Sequence, residues 1–327
     1  MSAIIKHNSL VIKLFLFVSF YTFVFTGCAT VPIFNQETNL NLQDEEKIIF
    51  LSDTQSPIWL ETLFLDENNN EMVRSRIFEN IIETKPKAVI HLGDLVSFGF
   101  WNNDWEDIDL FVDSLRSCNT NFYPILGNHE LLFFSCAGGE NFMERFPFAL
   151  KTGYSVTIGS LGIILLNSNF SYLSNAEIEQ QNVWYKNELF AMENDSTITS
   201  IIVGTHHPPF TNSTIVNPSE EVLENFVPLF LSNNKCKIFM SGHCHAFEHF
   251  KYKGKDFIII GGGGGLQQPL YVGEESKWED VYDSDSIFRK FHFAELNIKN
   301  DSLVFNIKFL NDESYKINET YQVILND

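Results

Sequence analysis

Five short motifs place carboxylate, amide and imidazole groups just past apolar runs. They are Asp53-Thr54-Gln55, Gly93-Asp94, Gly127-Asn128-His129-Glu130, His206-His207-Pro208 and Gly242-His243-Cys244-His245. Carboxylate and amide oxygens bind hard divalent cations, and imidazole suits zinc, iron and related metals. Each motif alone is as well explained by a turn or a helix cap. The ordered set is harder to explain that way. Asp53 ends the run Ile48-Ile49-Phe50-Leu51-Ser52, and Asp94 repeats the arrangement after Ala88-Val89-Ile90-His91-Leu92. A second strand-end carboxylate can bridge two metals about 3.5–4 Å apart. Gly93 lets the backbone approach closely. Asn128 offers a neutral oxygen, and His129 can titrate near neutrality and protonate a leaving oxygen. His243 and His245 are two apart, so on an extended segment both rings face one side. This donor set predicts a two-metal hydrolytic centre.

Strands and helices must hold those groups. Apolar runs of strand length recur at Lys47–Leu51, Lys87–Leu92, Phe122–Leu126, Ile201–Val203 and Lys237–Met240. Helical patterns lie between several of them, at Glu71–Thr84, Asp104–Leu115, Ala176–Met192 and Pro218–Leu231. In Ala176–Met192, the residues Val183, Trp184, Leu189 and Phe190 are expected to share an apolar face. Tyr154–Asn167 and Phe291–Phe309 read as hairpins, with turns at Gly159-Ser160 and Asn300-Asp301. The pattern predicts one mixed α/β domain over 47–327, with two packed sheets and helices outside. The polar motifs fall where strands end, which is where such sheets place their sites.

Composition narrows the partners. The first 27 residues carry Lys6 and Lys13, no acid, and an apolar run from Leu14 to Phe25. That run is short for a membrane anchor and reads as a signal peptide over 1–27. With the two leader lysines removed, 20 basic residues face 42 acidic ones. Such a surface repels polyanions, so no nucleic-acid partner is expected, and positive potential must come from bound metals. A small phosphorylated substrate is the expected ligand. Cys118, Cys136, Cys236 and Cys244 show no disulfide framework and are expected as free thiols, Cys244 pointing away from the metals. Most of the 32 Phe should be core, but Phe98, Phe100, Trp101 and Trp105 follow the Gly-Asp motif directly. They fit equally a pocket wall that stacks on a base or aryl group and a cover for a helix. Gly261–Gly265 has no following lysine, so it reads as a tight turn beside the site rather than a phosphate loop.

Two resemblances extend this reading. Phe25-Thr26-Gly27-Cys28-Ala29 resembles the lipobox of bacterial lipoproteins. It implies an exported chain lipidated at Cys28, anchored to the periplasmic or cell-surface side of a membrane, with 28–46 as a polar tether. The motif order Asp-x-Gln, Gly-Asp, Gly-Asn-His-Glu, His-His-Pro, Gly-His-x-His resembles the calcineurin-like metallophosphoesterase superfamily. Gly242 to Glu248, the Gln180/Gln181-to-Trp184 segment and the glycine run look most like its purple-acid-phosphatase branch. The resemblance implies a four-layer α/β/β/α sandwich and two divalent metal ions, manganese, iron or zinc. Asp53, Asp94 and His245, with Gln55, would hold the first metal. Asp94 would bridge to the second, completed by Asn128, His206 and His243. His129 would stand beside the leaving group and His207 would line the pocket.

Three departures shape the expected activity. Gln55 stands where many members have a ligating His, and Asp-x-Gln is similar to members acting on nucleotide diphosphate compounds with manganese. Ser97 stands where purple acid phosphatases place an iron-binding Tyr. Ser97-Phe98 also replaces the Asp-Arg of protein Ser/Thr phosphatases. The expectation is a metal-dependent phosphatase of small phosphoesters, acting through a hydroxide between the metals. The alternatives are a phosphodiesterase or nucleotide pyrophosphatase and, from another class, a non-catalytic metal-binding surface lipoprotein.

Overall fold

A computed structural model describes residues 31–325 apart from 44, 283, 300, 301, 312, 313 and 315. The signal segment, Cys28 and the Asn300-Asp301 turn lie outside the described residues. Ile33–Asp327 forms one compact unit.

Two sheets carry the chain. The first holds β2 (Ile48–Leu51), β3 (Ala88–His91) and β4 (Asn121–Pro124) in parallel. Its antiparallel half is β11 (His292–Lys299), β12 (Ser302–Leu310) and β13 (Ile317–Leu325), in the order β13-β12-β11-β2-β3-β4. The second has the order β1-β5-β6-β7-β8-β10-β9. Its strands are β1 (Asn39–Leu40), β5 (Tyr154–Ile158), β6 (Leu161–Leu165), β7 (Ser200–Thr205), β8 (Cys236–Ser241), β9 (Phe247–Tyr252) and β10 (Lys255–Ile260). Here β6, β7, β8 and β10 are parallel. The helices are α1 (Asn70–Thr84), α2 (Glu106–Ser117), α3 (Ser135–Arg145), α4 (Asn175–Asn194), α5 (Glu220–Asn225) and α6 (Val227–Ser232).

Side-chain alternation explains the layers. Along the second sheet Ile163, Ile202, Ile238, Met240 and Ile258 enter one core with Phe50 and Phe305 of the first sheet. Their neighbours Ile164, Val203, Phe239 and Ile259 enter another core with Tyr185, Phe226 and Phe230 of the helical layer. Successive strand residues point to opposite faces, so these strands carry continuous apolar runs, such as Ile201–Val203 and Ile238–Met240, where both faces are covered. The expected mixed α/β architecture, with two multi-stranded sheets and outer helices, is therefore present.

Three local expectations change. α4 buries Gln181, Tyr185, Leu189 and Met192, spaced four, four and three apart, whereas Val183 and Phe190 are 50% and 70% exposed. Gln181 is held inside because its amide pairs with both the N–H and the C=O of Asn167, at 2.9 and 3.0 Å. A polar residue thus occupies the stripe that hydrophobicity alone assigns elsewhere. The single helix expected over Pro218–Leu231 is two, α5 and α6, broken at Phe226 with Pro228 in the first turn of the second. The stretch expected as a tether packs on the fold from Phe34, which is buried and stacks on Phe146. Gln36 then binds the Phe122 backbone, and Asn39-Leu40 adds an edge strand to β5. The hairpin β5–β6 turns at Gly159-Ser160 as expected.

Candidate metal centre

The three strands β2, β3 and β4 deliver Asp53, Asp94 and Asn128 to one end of their sheet, while β7 and β8 deliver His206, His243 and His245 from the other. Asp53, Asp94 and His243 all turn sharply, with φ of 59°, 55° and 66°. Left-handed backbone at non-glycine residues is uncommon and clusters at functional sites. Backbone ties hold the turns against each other. Asp53 N–H donates to Gly93 C=O at 3.1 Å, and Thr54 N–H to Asp94 C=O at 2.8 Å. His243 N–H reaches both Asp53 oxygens at 3.0 Å. Gly127 is required by close approach, because a Cβ there would lie 2.1 Å from Asp94 Oδ1.

The donor atoms converge. Oxygens or nitrogens of Asp53, Asp94 and His206 lie within 4.8 Å of one another, as do those of His206, His207 and His243. His206 Nε2 is 3.2 Å from Asp94 Oδ2 and 3.0 Å from Asn128 Oδ1. His245 Nε2 is 3.4 Å from Asp53 Oδ1 and 3.1 Å from the Gln55 amide nitrogen. Separations near 3 Å are those of adjacent corners around a cation with bonds of about 2.1 Å. Asp53, Asp94, His206 and His243 are thus candidate ligand groups, with Gln55, Asn128 and His245 alongside.

Second contacts fit the same reading. The Nδ1 of His206 lies 2.8 Å from Leu92 C=O, and that of His245 lies 2.7 Å from Leu266 C=O. An N–H donated there leaves each Nε2 lone pair facing the centre, the arrangement usual for metal-ligating histidines. Gln55 is buried, and its Oε1 has no protein partner. A buried amide oxygen without a partner is costly, and a cation within reach would satisfy it. The residues present therefore fit divalent metal.

Electrostatics separates the histidines. Burial disfavours charge on His206, yet Asp94 beside it and Asp53 beyond raise it to about 9. Burial also opposes the charge of Asp94, but His206 and His129 hold it well below the usual carboxylate range. Burial, reinforced by His206, lowers His207 to about 3, and burial with His207 and His206 lowers His243 well below its usual value. Neutral imidazoles with free lone pairs are what a cation needs.

The remaining residues of the sequence reading fall around this cluster. His129 N–H donates to Asp94 Oδ1 at 2.8 Å, its Nδ1 is 3.2 Å from Ser97 C=O, and its Nε2 is 3.6 Å from Glu61 Oε1. His207 pairs with Ser168 through Nδ1 at 2.9 Å. Ser97 Oγ donates to Ser56 C=O at 2.7 Å, so it is engaged away from the donors. Cys244 is buried in the core beyond the second sheet, and the four cysteines among the described residues are free thiols. The glycine run is a strap, with Gly263 N–H on Ser52 C=O and Gly265 N–H on Asp53 C=O at 3.0 and 2.9 Å. Of the aromatic group, Trp105 is fully buried beneath Arg145, whereas Trp101 is 54% exposed.

Two residues gained no role from the sequence. Glu130 accepts from the N–H groups of Asp94, Leu95, Val96 and Gly127, at 3.0, 2.7, 3.1 and 2.6 Å. It fastens the turn bearing Asp94 to the turn bearing Asn128. Burial, with the Asp94 charge, pushes Glu130 up to about 8, and the N–H groups of Gly127 and Val96 pull the other way. Its place in Gly127-Asn128-His129-Glu130 was the available signal. Glu61 opens a short 3-10 turn, Glu61–Leu63, that carries no motif, and only the fold brings it to His129.

A sandwich of two sheets with buried carboxylate, amide and imidazole donors at the strand ends defines a metallophosphoesterase-type site. The chain belongs to the calcineurin-like phosphoesterase family, whose description matches residues 46–247. Solved structures share the fold. The purple acid phosphatase PPD1 from yellow lupin seeds superposes with a TM-score of 0.59 at 16% identity, over 86% of this chain and 54% of that one. This chain thus spans about half the length of the lupin protein. GAP50, the anchor in the inner membrane complex of Plasmodium, gives 0.56 at 15% identity, over 86% and 89%. A dimetal phosphatase from Danio rerio gives 0.53 at 14%, over 86% and 99%.

Proposed function

We propose that the protein is a phosphoric ester hydrolase that uses two divalent metal ions and acts on small phosphorylated substrates. The observation that carries this reading is the convergence of Asp53, Asp94, His206 and His243, with Asn128 against His206 and the Gln55 amide, its oxygen unpartnered, against His245. Asp53, Gln55 and His245 would hold one ion, Asn128, His206 and His243 the other, and Asp94 would serve both. When bound, the pair supplies positive charge for phosphoryl oxygens and acidifies water. The protein's own groups do the rest. Leu92 and Leu266 carbonyls orient His206 and His245. His129, fixed through its N–H by Asp94 and through Nδ1 by Ser97, stands ready to give a proton to the departing oxygen. His207, next to His206, borders the substrate.

Gln55 favours a second reading, a diesterase or nucleotide pyrophosphatase, through the Asp-x-Gln resemblance. The likeness to an anchor protein favours a third, a metal-binding scaffold, but the full donor set argues for chemistry. Phosphomonoesters, diesters and nucleotide diphosphates assayed with manganese, iron, zinc and magnesium separate them. We expect turnover of a monoaryl phosphate to exceed that of a bis-aryl phosphate, with about two metal equivalents bound per chain. The reverse preference would establish the second reading. No turnover with fewer than about one equivalent after reconstitution would favour the third.

The protein is further proposed to be exported and held to a membrane by lipid on Cys28, only a few residues before the compact unit begins at Ile33. Cys28→Ser should move the chain from the membrane to the soluble fraction. Unchanged membrane recovery would exclude a lipid anchor at that residue.

A further inference from the structure

Beyond His129 lie two segments with large exposed apolar side chains. In the loop after β2, Trp59, Leu63 and Phe64 are 73%, 62% and 79% exposed. The same loop brings Glu61 Oε1 to 3.6 Å from His129 Nε2. On the other side, Phe98 packs against Phe133 with ring centroids 5.9 Å apart, and Phe133 and Phe134 are 71% and 61% exposed. The two segments are joined at their root by the Ser97–Ser56 hydrogen bond, and Ser97 C=O also meets His129 Nδ1. The His129 ring therefore touches the root of both segments, whose exposed apolar side chains make two walls.

These walls are not ordinary surface. Phe98, Phe100, Phe133 and Phe134 form one cluster of ring contacts, and exposed apolar clusters mark binding sites. Phe133 adds a second observation, because its φ of 61° is left-handed. That backbone costs a bulky residue about 1–2 kcal/mol, and here it is kept on a ring that stays in solvent. Strain of this kind clusters at functional sites. Two observations disfavour a lipid surface as that ligand. The chain's charge of −20 repels anionic headgroups. The compact unit also begins beside the start of β4, where Gln36 holds Phe122, whereas the walls lie past the other end of that strand.

We propose that the walls form the leaving-group subsite of the metal centre and select phosphoesters of apolar alcohols, aryl or long-chain alkyl. The proposal rests on the phosphoesterase reading. Hydrolysis adds water across the ester P–O bond, giving phosphate and the free alcohol, and the alcohol is released beside His129 between the walls.

Methyl, butyl and octyl phosphate test it with the full chain, because their alcohols differ in apolar surface far more than in acidity. We expect kcat/KM to rise at least tenfold from methyl to octyl, a modest part of what burying the added methylenes can supply at about 0.8 kcal/mol each. Phe133→Gly and Trp59→Ser should each cut that rise severalfold. Phe133→Gly should also leave Tm unchanged or higher, since glycine accepts the left-handed backbone. A readout free of turnover is tryptophan fluorescence, which should shift to the blue with octylphosphonate but not with methylphosphonate. Robust turnover with equal kcat/KM across the series would overturn the subsite and leave the phosphoesterase reading standing. Equal values together with wall-dependent binding to phosphatidylcholine vesicles would replace the subsite with lipid docking. If no ester is hydrolysed, the phosphoesterase reading fails. Selective octylphosphonate binding would then still support an apolar subsite, and its absence would overturn both.

Discussion

Asp94→Asn is expected to lower kcat/KM for an aryl phosphate on the order of a thousandfold, which is about 4 kcal/mol of transition-state stabilisation. The substitution is nearly isosteric. The remaining side-chain oxygen can still accept the His129 N–H that Asp94 Oδ1 accepts at 2.8 Å. The backbone C=O of Asp94, which receives the Thr54 and Gln55 N–H groups, is untouched. The turn should therefore survive, and Tm should move by no more than about 3 °C, the effect of roughly 1 kcal/mol in a chain of this size. What disappears is the negative charge facing His206, on the carboxylate proposed to serve both metals. Metal content should fall below two equivalents, and added metal should restore activity only in part. The measurements are steady-state kinetics, metal analysis and thermal melting on one preparation. Activity within threefold of the native protein would show that Asp94 has no part in hydrolysis. Lost activity with a collapsed melting curve would show a structural role instead.

The same residue shows what was legible in the sequence. Strand positions could be read because parallel strands buried on both faces leave continuous apolar runs, as in Ile48–Leu51 and Ala88–Ile90. The donors could be read because each follows such a run. The left-handed backbone of Asp53, Asp94 and His243 was not legible, since no glycine marks those positions and the conformation is imposed by backbone ties between strands far apart in the chain. The buried face of α4 was misread for a related reason. Gln181 looks like a surface residue until the Asn167 backbone appears opposite it, and Phe190 looks like core yet is 70% exposed. Phe34 and Gln36 sit in a polar-looking stretch, yet their partners are Phe146 and Phe122, more than eighty residues away. Hydrophobic periodicity reports the local face of an element. It does not report which polar group will be satisfied by a distant backbone.

Glu130 carries that lesson to its largest energetic consequence. Its side chain is fully buried and is the acceptor for four backbone N–H groups drawn from two turns. Glu130→Ala removes the acceptor and leaves those donors in a closed region. Each unsatisfied buried group costs about 1–3 kcal/mol, and water entering the vacated space offsets part of the sum, so a net loss of about 3–5 kcal/mol is expected. At roughly 2–4 °C per kcal/mol, Tm should fall by about 6–20 °C. Glu130→Gln keeps one oxygen and sets its own amide N–H groups against the other pair of donors, so it should also destabilise. Its more telling effect should be on the metals. Asp94 and Gly127 belong to the turns that Glu130 joins, and a shift of either moves Asp94 or Asn128 away from His206. The glutamine variant should therefore need higher metal concentrations for half-maximal activity, even at temperatures where it is fully folded. Calorimetry of metal binding to the folded variant separates this from simple destabilisation. Native metal affinity, with Tm of the alanine variant within about 2 °C of the native protein, would show that solvent satisfies these N–H groups and that the two turns hold their places without Glu130.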